Sequence, residues 1–183
     1  MIKDLCLRLY NFTQENYRIK TWQIFSWLFI FRIPIVNFTS RRFLMKTNGR
    51  CYCGIIKYEI KEQAEASFQC HCRECQYITG GNPNTVMAFP KKSFNYVSGK
   101  PKKFTRQDID IAVTRHFCEN CGTAIGTESP ARPNSMIVKV GTMDDPSAFT
   151  PQAAIFTCDT QPFHQLPEGI PSFEKRPPKK QND

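Results

Sequence analysis

Cysteine is the feature that most constrains this chain, because seven of its nine cysteines fall into three tight clusters. The clusters read Cys51-Tyr-Cys53-Gly, Cys70-His-Cys72-Arg-Glu-Cys75 and Cys118-Glu-Asn-Cys121-Gly. Disulfide frameworks favour dispersed, even-numbered cysteines in secreted chains. An odd number of clustered cysteines is instead typical of metal–thiolate sites, and zinc is the usual metal where all the ligands are sulfur.

The first and last clusters are each a cysteine pair followed by glycine, which predicts that they share one metal. Cys51 and Cys53 are two residues apart, so on a strand both side chains would face the same way. Cys118 and Cys121 have the spacing of the chelating turn of a zinc ribbon, and Gly122 lets the backbone fold close beneath the sulfur. Four thiolates fill a tetrahedral site, so we predict a closed, structural zinc that joins distant parts of the chain.

The middle cluster supplies only three thiolates, from Cys70, Cys72 and Cys75. Three protein ligands leave the fourth position of zinc open to water or substrate, which is the mark of a catalytic zinc. A substrate thiol entering that position would lose its proton and be held as a nucleophile. The alternative is a second closed site, in which the fourth ligand is His71, His116 or Cys158.

The sequence after residue 45 is typical of short β-strands separated by turns rich in Gly, Pro and Asn. We predict strands over eight segments: Ile55–Ile60, Ser67–Cys70, Thr85–Phe89, Phe94–Val97, Lys102–Thr105, Ile111–Phe117, Met136–Val140 and Ala153–Thr157. Turns or loops are expected over 80–84, 98–101 and 129–134. No segment here has convincing helical periodicity over about twelve residues. The pattern predicts an all-β fold of packed antiparallel sheets.

Residues 1–44 differ in composition from the rest of the chain. They contain no Ala or Gly but hold both tryptophans of the chain. The apolar stretch Trp22–Val36 is shorter than the roughly 20 residues that a membrane-spanning helix needs, and Arg32 and Pro34 interrupt it. We interpret residues 1–44 as an atypical hydrophobic and basic leader, a misassigned extension upstream of a natural start at Met45. An interfacial or anchoring helix is the alternative.

Basic charge is concentrated at the two ends of the chain. Residues 1–45 carry a net charge of +5, and the other 138 residues carry only +4. Much of that remainder lies in residues 174–183, which we interpret as a basic disordered tail after a zinc domain over residues 45–173. Nucleic-acid binding needs a basic face on the folded body, so we expect neither a nucleic-acid nor a membrane partner. Thiolate zinc sites and the lack of a targeting signal favour a cytoplasmic location.

With their neighbouring residues, the three clusters resemble the glutathione-dependent formaldehyde-activating enzyme family, which includes the zinc domain of centromere protein V. The resemblance rests on segments 49–54, 70–76 and 115–123, and residues 166–174 look like the family's C-terminal motif. It implies a zinc-ribbon-like fold often called a β-tent, with two Zn²⁺ per chain. The implied ligands of the structural zinc are Cys51, Cys53, Cys118 and Cys121. Those of the catalytic zinc are Cys70, Cys72 and Cys75.

The resemblance also implies a reaction: the thiol of glutathione adds to formaldehyde, giving S-hydroxymethylglutathione, which classes the enzyme as a carbon–sulfur lyase. By residue type, the candidate proton donors are His71, His116 and Tyr77. The candidate partners for the carboxylates of glutathione are Arg73, Arg106, Arg115 and Lys91. Two other hypotheses stay open: a non-catalytic, zinc-stapled binding module associated with nucleic acid, and a redox-responsive thiol protein.

Overall fold

A computed structural model describes residues 47–178, which form eleven β-strands in two sheets and one short α-helix. The strands are β1 (Thr47–Arg50), β2 (Lys57–Ile60), β3 (Ala66–Cys70), β4 (Asn84–Pro90), β5 (Phe94–Ser98), β6 (Lys102–Thr105), β7 (Thr114–Phe117), β8 (Ala124–Ser129), β9 (Arg132–Lys139), β10 (Ala153–Ile155) and β11 (Ser172–Phe173). The helix is α1 (Arg73–Thr79). The all-β prediction is confirmed, whereas the predicted leader and residues 179–183 lie outside the described residues.

The strands form a small sheet and a large one. The small sheet is antiparallel, with the strand order β1-β2-β5. The large sheet has eight strands in the order β11-β10-β3-β4-β9-β8-β7-β6. It is antiparallel from β3 to β6, but β10 pairs in parallel with both β3 and β11. The long connection from β9 therefore returns the chain to the far edge of the sheet, next to the middle cysteine cluster.

The hydrophobic core lies between the two sheets. From the side of the small sheet, Ile56, Tyr58 and Ile60 are at most 2% exposed, and they pack with residues of the large sheet that include Phe89 and Val138. Burying one such side chain stabilises the fold by about 1.5–3 kcal/mol. The phenol of Tyr58 is satisfied inside the core by the hydroxyl of Thr142, 2.9 Å away.

The large sheet carries different residues on its two faces, because side chains alternate along a strand. On β9, Met136 and Val138 belong to the core, whereas Ile137 and Lys139 line a cavity on the opposite face. Lys139 lies opposite Val86 of β4 in the strand register, and Val86 lines the same cavity. The sheet thus has a core face and a cavity face.

Each of the eight predicted strand segments overlaps an observed strand, but the sequence analysis missed β1, β8, β11 and α1. The loop predicted over 129–134 is confirmed only at Pro130 and Ala131, because β9 already begins at Arg132, which pairs with Ser129. Pro133 is typical of a turn, yet here it lies in a strand beside a shift in the β8–β9 register. Among the described residues, no helix has the length and apolar character needed to cross a membrane.

A chain of hydrogen bonds connects Tyr96 of the small sheet with His116 and Glu128 of the large sheet. The hydroxyl of Tyr96 lies 2.9 Å from Nδ1 of His116, and Nε2 of His116 lies 2.8 Å from the Glu128 carboxylate. Lys91 and Lys103 also donate to this carboxylate. Their hydrogen bonds lower the pKa of Glu128 to about 2, and burial lowers the pKa of His116. Neutral His116 can then accept from Tyr96 and donate to Glu128.

Glu128→Gln is expected to destabilise the protein at pH 7 by about 1–2 kcal/mol, because the lysines lose their anionic partner. A lowered carboxyl pKa contributes stability above the unfolded-state value, which is lost as the pH falls towards about 2. The difference in the free energy of unfolding between wild type and variant should therefore become smaller as the pH falls from about 5 to about 3. Urea unfolding of both proteins across this range measures it. Glu62→Gln, which removes the exposed partner of Lys92, is the control and should have little effect.

Candidate metal centres

The first candidate centre, the four-cysteine cluster, consists of Cys51, Cys53, Cys118 and Cys121, whose sulfur atoms all lie within 4.8 Å of one another. The Cys51 and Cys53 sulfurs are 3.4 Å apart, and those of Cys53 and Cys118 are 3.7 Å apart. A disulfide would require about 2.05 Å. Four sulfurs around one tetrahedral zinc, each at about 2.3 Å, would be about 3.8 Å apart. The donor type and the spacing therefore fit a single metal ion.

Two glycine turns bring the four sulfurs together. The N–H of Gly54 donates to the Cys51 carbonyl at 3.0 Å, and that of Gly122 donates to the Cys118 carbonyl at 2.8 Å. Both glycines have left-handed φ angles, +77° and +72°, which other residues adopt at a cost. The expectation that Cys51 and Cys53 lie on a strand is wrong, because β1 ends at Arg50 and the pair occupies a turn. The turn, rather than strand alternation, directs both sulfurs to one point.

Hydrogen bonds to sulfur prepare part of this cluster for metal binding. The Thr123 hydroxyl, 3.1 Å from the Cys121 sulfur, is the main cause of a pKa lowered to about 6. A backbone hydrogen bond from Ile55 is the main cause of the lowered pKa of Cys53. Both shifts favour the thiolate, which is the form that binds metal. Cys51 and Cys118 are each 1% exposed and pack in the core, so the cluster is continuous with the core.

The second candidate centre, the three-cysteine cluster, consists of Cys70, Cys72 and Cys75, whose sulfurs also lie within 4.8 Å of one another. Cys70 is the last residue of β3, Cys72 is the N-cap of α1, and Cys75 lies in the first turn of that helix. A strand end and a helix start thus aim three sulfurs at one point. This short helix, which lacks a clear signal in the sequence, is what places the third cysteine.

Of the three thiols in the three-cysteine cluster, Cys75 is the one whose ionised form is favoured. Hydrogen bonds from the Cys70 and Cys72 thiols lower the pKa of Cys75 to about 2. The hydrogen bonds of Cys70 with Cys72 and Cys75 raise the pKa of Cys70. The side-chain amide of Asn84 also donates to the Cys75 sulfur, at 3.5 Å. Three sulfurs within 4.8 Å of one another can bind one cation, which would replace their protons.

Within residues 47–178, no fourth Cys, His, Asp or Glu joins the three-cysteine cluster. Nδ1 of His71 instead lies 3.1 Å from Nδ1 of His164. His116 belongs to the polar chain with Tyr96 and Glu128, and Cys158 is exposed. The described residues therefore give no support to the second closed site that the sequence left open.

A cavity of about 360 Å³ opens beside the three-cysteine cluster, on the cavity face of the large sheet. Its size falls within the range of about 300–1,000 Å³ that is usual for small-molecule sites. Apolar wall residues include Phe68, Val86, Ile137, Ile155 and Phe156. The charged residues of the wall are Arg73, Glu74, Arg115, Lys139, Asp159 and Arg176. The cavity thus combines a sulfur cluster, an apolar surface and an excess of positive charge.

Two of the predicted carboxylate-binding residues, Arg73 and Arg115, line this cavity, and two do not. Arg115 donates to Glu74 at 2.6 Å, and Arg106 contacts the same carboxylate from outside the cavity at 3.1 Å. Lys91 pairs with Glu128 instead. None of the predicted proton donors lines the cavity: His71 and His116 are buried elsewhere, and Tyr77 is 81% exposed.

The sequence analysis gave no site role to several residues of the cavity wall, among them Lys139, Phe156 and Arg176. Lys139 does have a signal in the sequence, because it is the charged residue in the otherwise apolar run over 136–140. Phe156 has a left-handed φ of 57°, an unusual conformation for an aromatic residue. Its N–H donates to the carbonyl of Lys175 at 3.2 Å, and the Arg176 guanidinium lies 5.8 Å from the centre of its ring. Nothing in the local sequence predicts these contacts.

These features define a mostly β protein with two sheets and two cysteine clusters able to hold metal ions. The family model for the glutathione-dependent formaldehyde-activating enzyme matches residues 46–159, more than half of the chain, and this segment contains both clusters. The chain therefore belongs to that family, which confirms the resemblance noted from its cysteine motifs.

Comparison with solved structures finds similarity to a Rhodobacter sphaeroides protein, a structural genomics target solved by crystallography. The two chains are 16% identical, and the TM-score is 0.45. The match covers 57% of this chain and 91% of the other. No curated protein matches this chain in sequence.

Proposed function

We propose that the protein is a zinc-dependent carbon–sulfur lyase of the formaldehyde-activating type. It adds a small thiol, with glutathione as the first choice, to formaldehyde, and the product with glutathione is S-hydroxymethylglutathione. The observation that carries this proposal is that a three-sulfur cluster without a fourth ligand among residues 47–178 adjoins a cavity of ligand size. Membership of the family supports the choice of formaldehyde and glutathione.

The two clusters are given different roles in this proposal. Cys51, Cys53, Cys118 and Cys121 hold a structural zinc, since four thiolates in the core complete a tetrahedral site. Cys70, Cys72 and Cys75 hold the catalytic zinc, and all three are ligands within the active site. Bound there, zinc would supply an open coordination position that favours the thiolate form of an incoming thiol.

Residues of the cavity wall would orient the substrates around that position. Arg115 lines the cavity and donates to Glu74 at 2.6 Å through one nitrogen, so its remaining donors can bind a carboxylate of the thiol. Arg73 lies on α1 directly after Cys72, and its guanidinium can reach the cavity. The apolar wall formed by residues such as Val86 and Ile137 limits the access of water to the reacting atoms. Holding the thiol and the aldehyde together in this way makes their bimolecular reaction effectively unimolecular.

The proposal extends to the setting of the reaction. The unit that performs it is the zinc domain over residues 45–173, together with any later residues that complete the cavity wall. The cytoplasm is the proposed location, because reducing conditions keep thiolate clusters available for metal. The proposed partners are a small thiol and an aldehyde, rather than nucleic acid or a membrane.

Zinc content should separate the two proposed centres. The full-length wild type is expected to bind two zinc ions per chain, and Cys72→Ser should bind about one and stay folded. Cys118→Ser should lose most of its folded structure, because the structural centre joins turns that are distant in sequence. Metal analysis with circular dichroism measures both effects, and Cys158→Ser is the control because Cys158 is an exposed cysteine outside the clusters. Two zinc ions in Cys72→Ser would contradict the assignment.

The reaction itself can be followed by NMR exchange spectroscopy. The wild type is expected to accelerate the interconversion of glutathione and formaldehyde with S-hydroxymethylglutathione above the spontaneous rate. Cys72→Ser should lose at least about 100-fold of that acceleration, because even the loss of a residue that only supports a metal ligand commonly costs about 10–100-fold. Cys158→Ser should retain it. If the wild type does not exceed the spontaneous rate at all, the proposed reaction is wrong.

A further inference from the structure

Lys139 is a buried cation to which the proposed function has given no role. The residue is only 8% exposed and lies at the end of β9, with its side chain in the wall of the cavity. Within residues 47–178, it makes no ion pair with a carboxylate, whereas Lys91, Lys92, Lys102 and Lys103 all do. Lysine is rarely buried unless a negative group compensates its charge.

The cysteines of the three-cysteine cluster line the same cavity as Lys139, and as thiolates they would compensate its charge. The ammonium interacts electrostatically with Cys75, Cys70 and Cys72, and Arg115 is the nearby cation that opposes it. Burial lowers the pKa of Lys139, and the three thiols act in the opposite direction. The ammonium and the sulfur cluster thus share one cavity, with Asn84 donating to Cys75 in the same wall.

The other cations of the cavity already have partners. Arg115 is paired with Glu74. Arg73 donates to the side-chain oxygen of Gln76 and lies over the ring of Tyr77. Arg176 lies over the ring of Phe156. Lys139 is therefore the cavity cation best placed to receive a new negative charge that develops close to the sulfurs.

We propose that Lys139 forms an oxyanion site beside the three-cysteine cluster, binding a negatively charged oxygen carried two or three bonds away from a sulfur held there. The inference rests on the proposed function and adds to it the group that receives the reacting oxygen. When the thiolate attacks formaldehyde, the new C–S bond forms and the π electrons of the C=O bond move to oxygen. The Lys139 ammonium donates a hydrogen bond to that alkoxide, which takes a proton from water. This proton balances the one that the thiol released.

The site is expected to stabilise the alkoxide because a fixed donor in a cavity with an apolar wall acts more strongly than water does. In this step Lys139 keeps its proton and only donates a hydrogen bond, because water supplies the proton that the alkoxide takes up. The role explains why a buried lysine ends β9, within the apolar run over 136–140, where an aliphatic residue would pack at lower cost.

Mercaptoacetate and mercaptoacetamide test the proposal by binding alone. Both present a thiol with an oxygen two bonds from the carbon that bears sulfur, but only the first carries a negative charge on it. Titration calorimetry with zinc-loaded, full-length protein gives the ratio of their two Kd values. From wild type to Lys139→Met, the preference for mercaptoacetate is expected to fall at least about tenfold, the factor that corresponds to about 1.4 kcal/mol. Lys139→Arg should retain part of the preference.

Lys92→Met is the matched control, since this lysine is exposed and pairs with Glu62 outside the cavity. It should leave the ratio unchanged. Lys139→Gln replaces Lys139→Met if the latter does not fold, as judged by circular dichroism and zinc content. An unchanged ratio in the Lys139 variant overturns the oxyanion site, and so does a failure of both thiols to bind the wild type.

The NMR exchange assay distinguishes this inference from the proposed function. If the ratio falls but the wild type does not accelerate adduct formation, the oxyanion site stands and the formaldehyde reaction is wrong. If the wild type accelerates the reaction and Lys139→Met retains both its kcat and the ratio, the reaction stands and Lys139 has no such role. A fall in kcat with little change in the KM for glutathione, together with partial rescue by Lys139→Arg, would support both.

Discussion

The alternation of side chains across one sheet is the constraint on which the rest of this structure depends. The same strand, β9, gives Val138 to the core and Lys139 to the cavity, and β4 likewise separates Phe89 from Val86. A slip of one residue in register would exchange the two sets, burying a lysine in the core and exposing valine. The core between the sheets fixes the register, because its members are almost fully buried. The position of every cavity residue on the sheet follows from that packing.

The two cysteine clusters differ because of the backbone that presents them. The four-cysteine cluster is built by two glycine turns at the edge of the core, and its four sulfurs supply all the donors of a tetrahedral site. The three-cysteine cluster is built where a strand meets a short helix, and one side of it adjoins a cavity. A closed set of donors is suited to holding a fold together, whereas an incomplete set beside a cavity can accept a further ligand. One residue type thus forms two different sets of metal donors in a single domain.

The sequence predicted the parts of this protein that depend on local pattern. Cysteine spacing identified both clusters, and apolar or β-branched segments located most strands. It did not predict α1, whose seven residues are too few for a periodic signal, nor β8, where Gly126 weakens the strand pattern and fits closely against Met136. It also missed Lys139 and Arg176, because their roles depend on contacts between distant segments. Of the four predicted cations, Arg73 and Arg115 line the cavity, whereas Arg106 and Lys91 do not.

The strained backbone of Phe156 has a consequence for the far end of the chain. Its N–H is held by the carbonyl of Lys175, and Arg176 covers its ring, so the segment after β11 forms part of the cavity wall. Residues close to the end of the described segment thus complete the wall of the cavity. A chain emerging from the ribosome would complete the four-cysteine cluster once Cys121 had appeared, some fifty residues before this wall was available. Metal capture can therefore precede the formation of a competent cavity during synthesis.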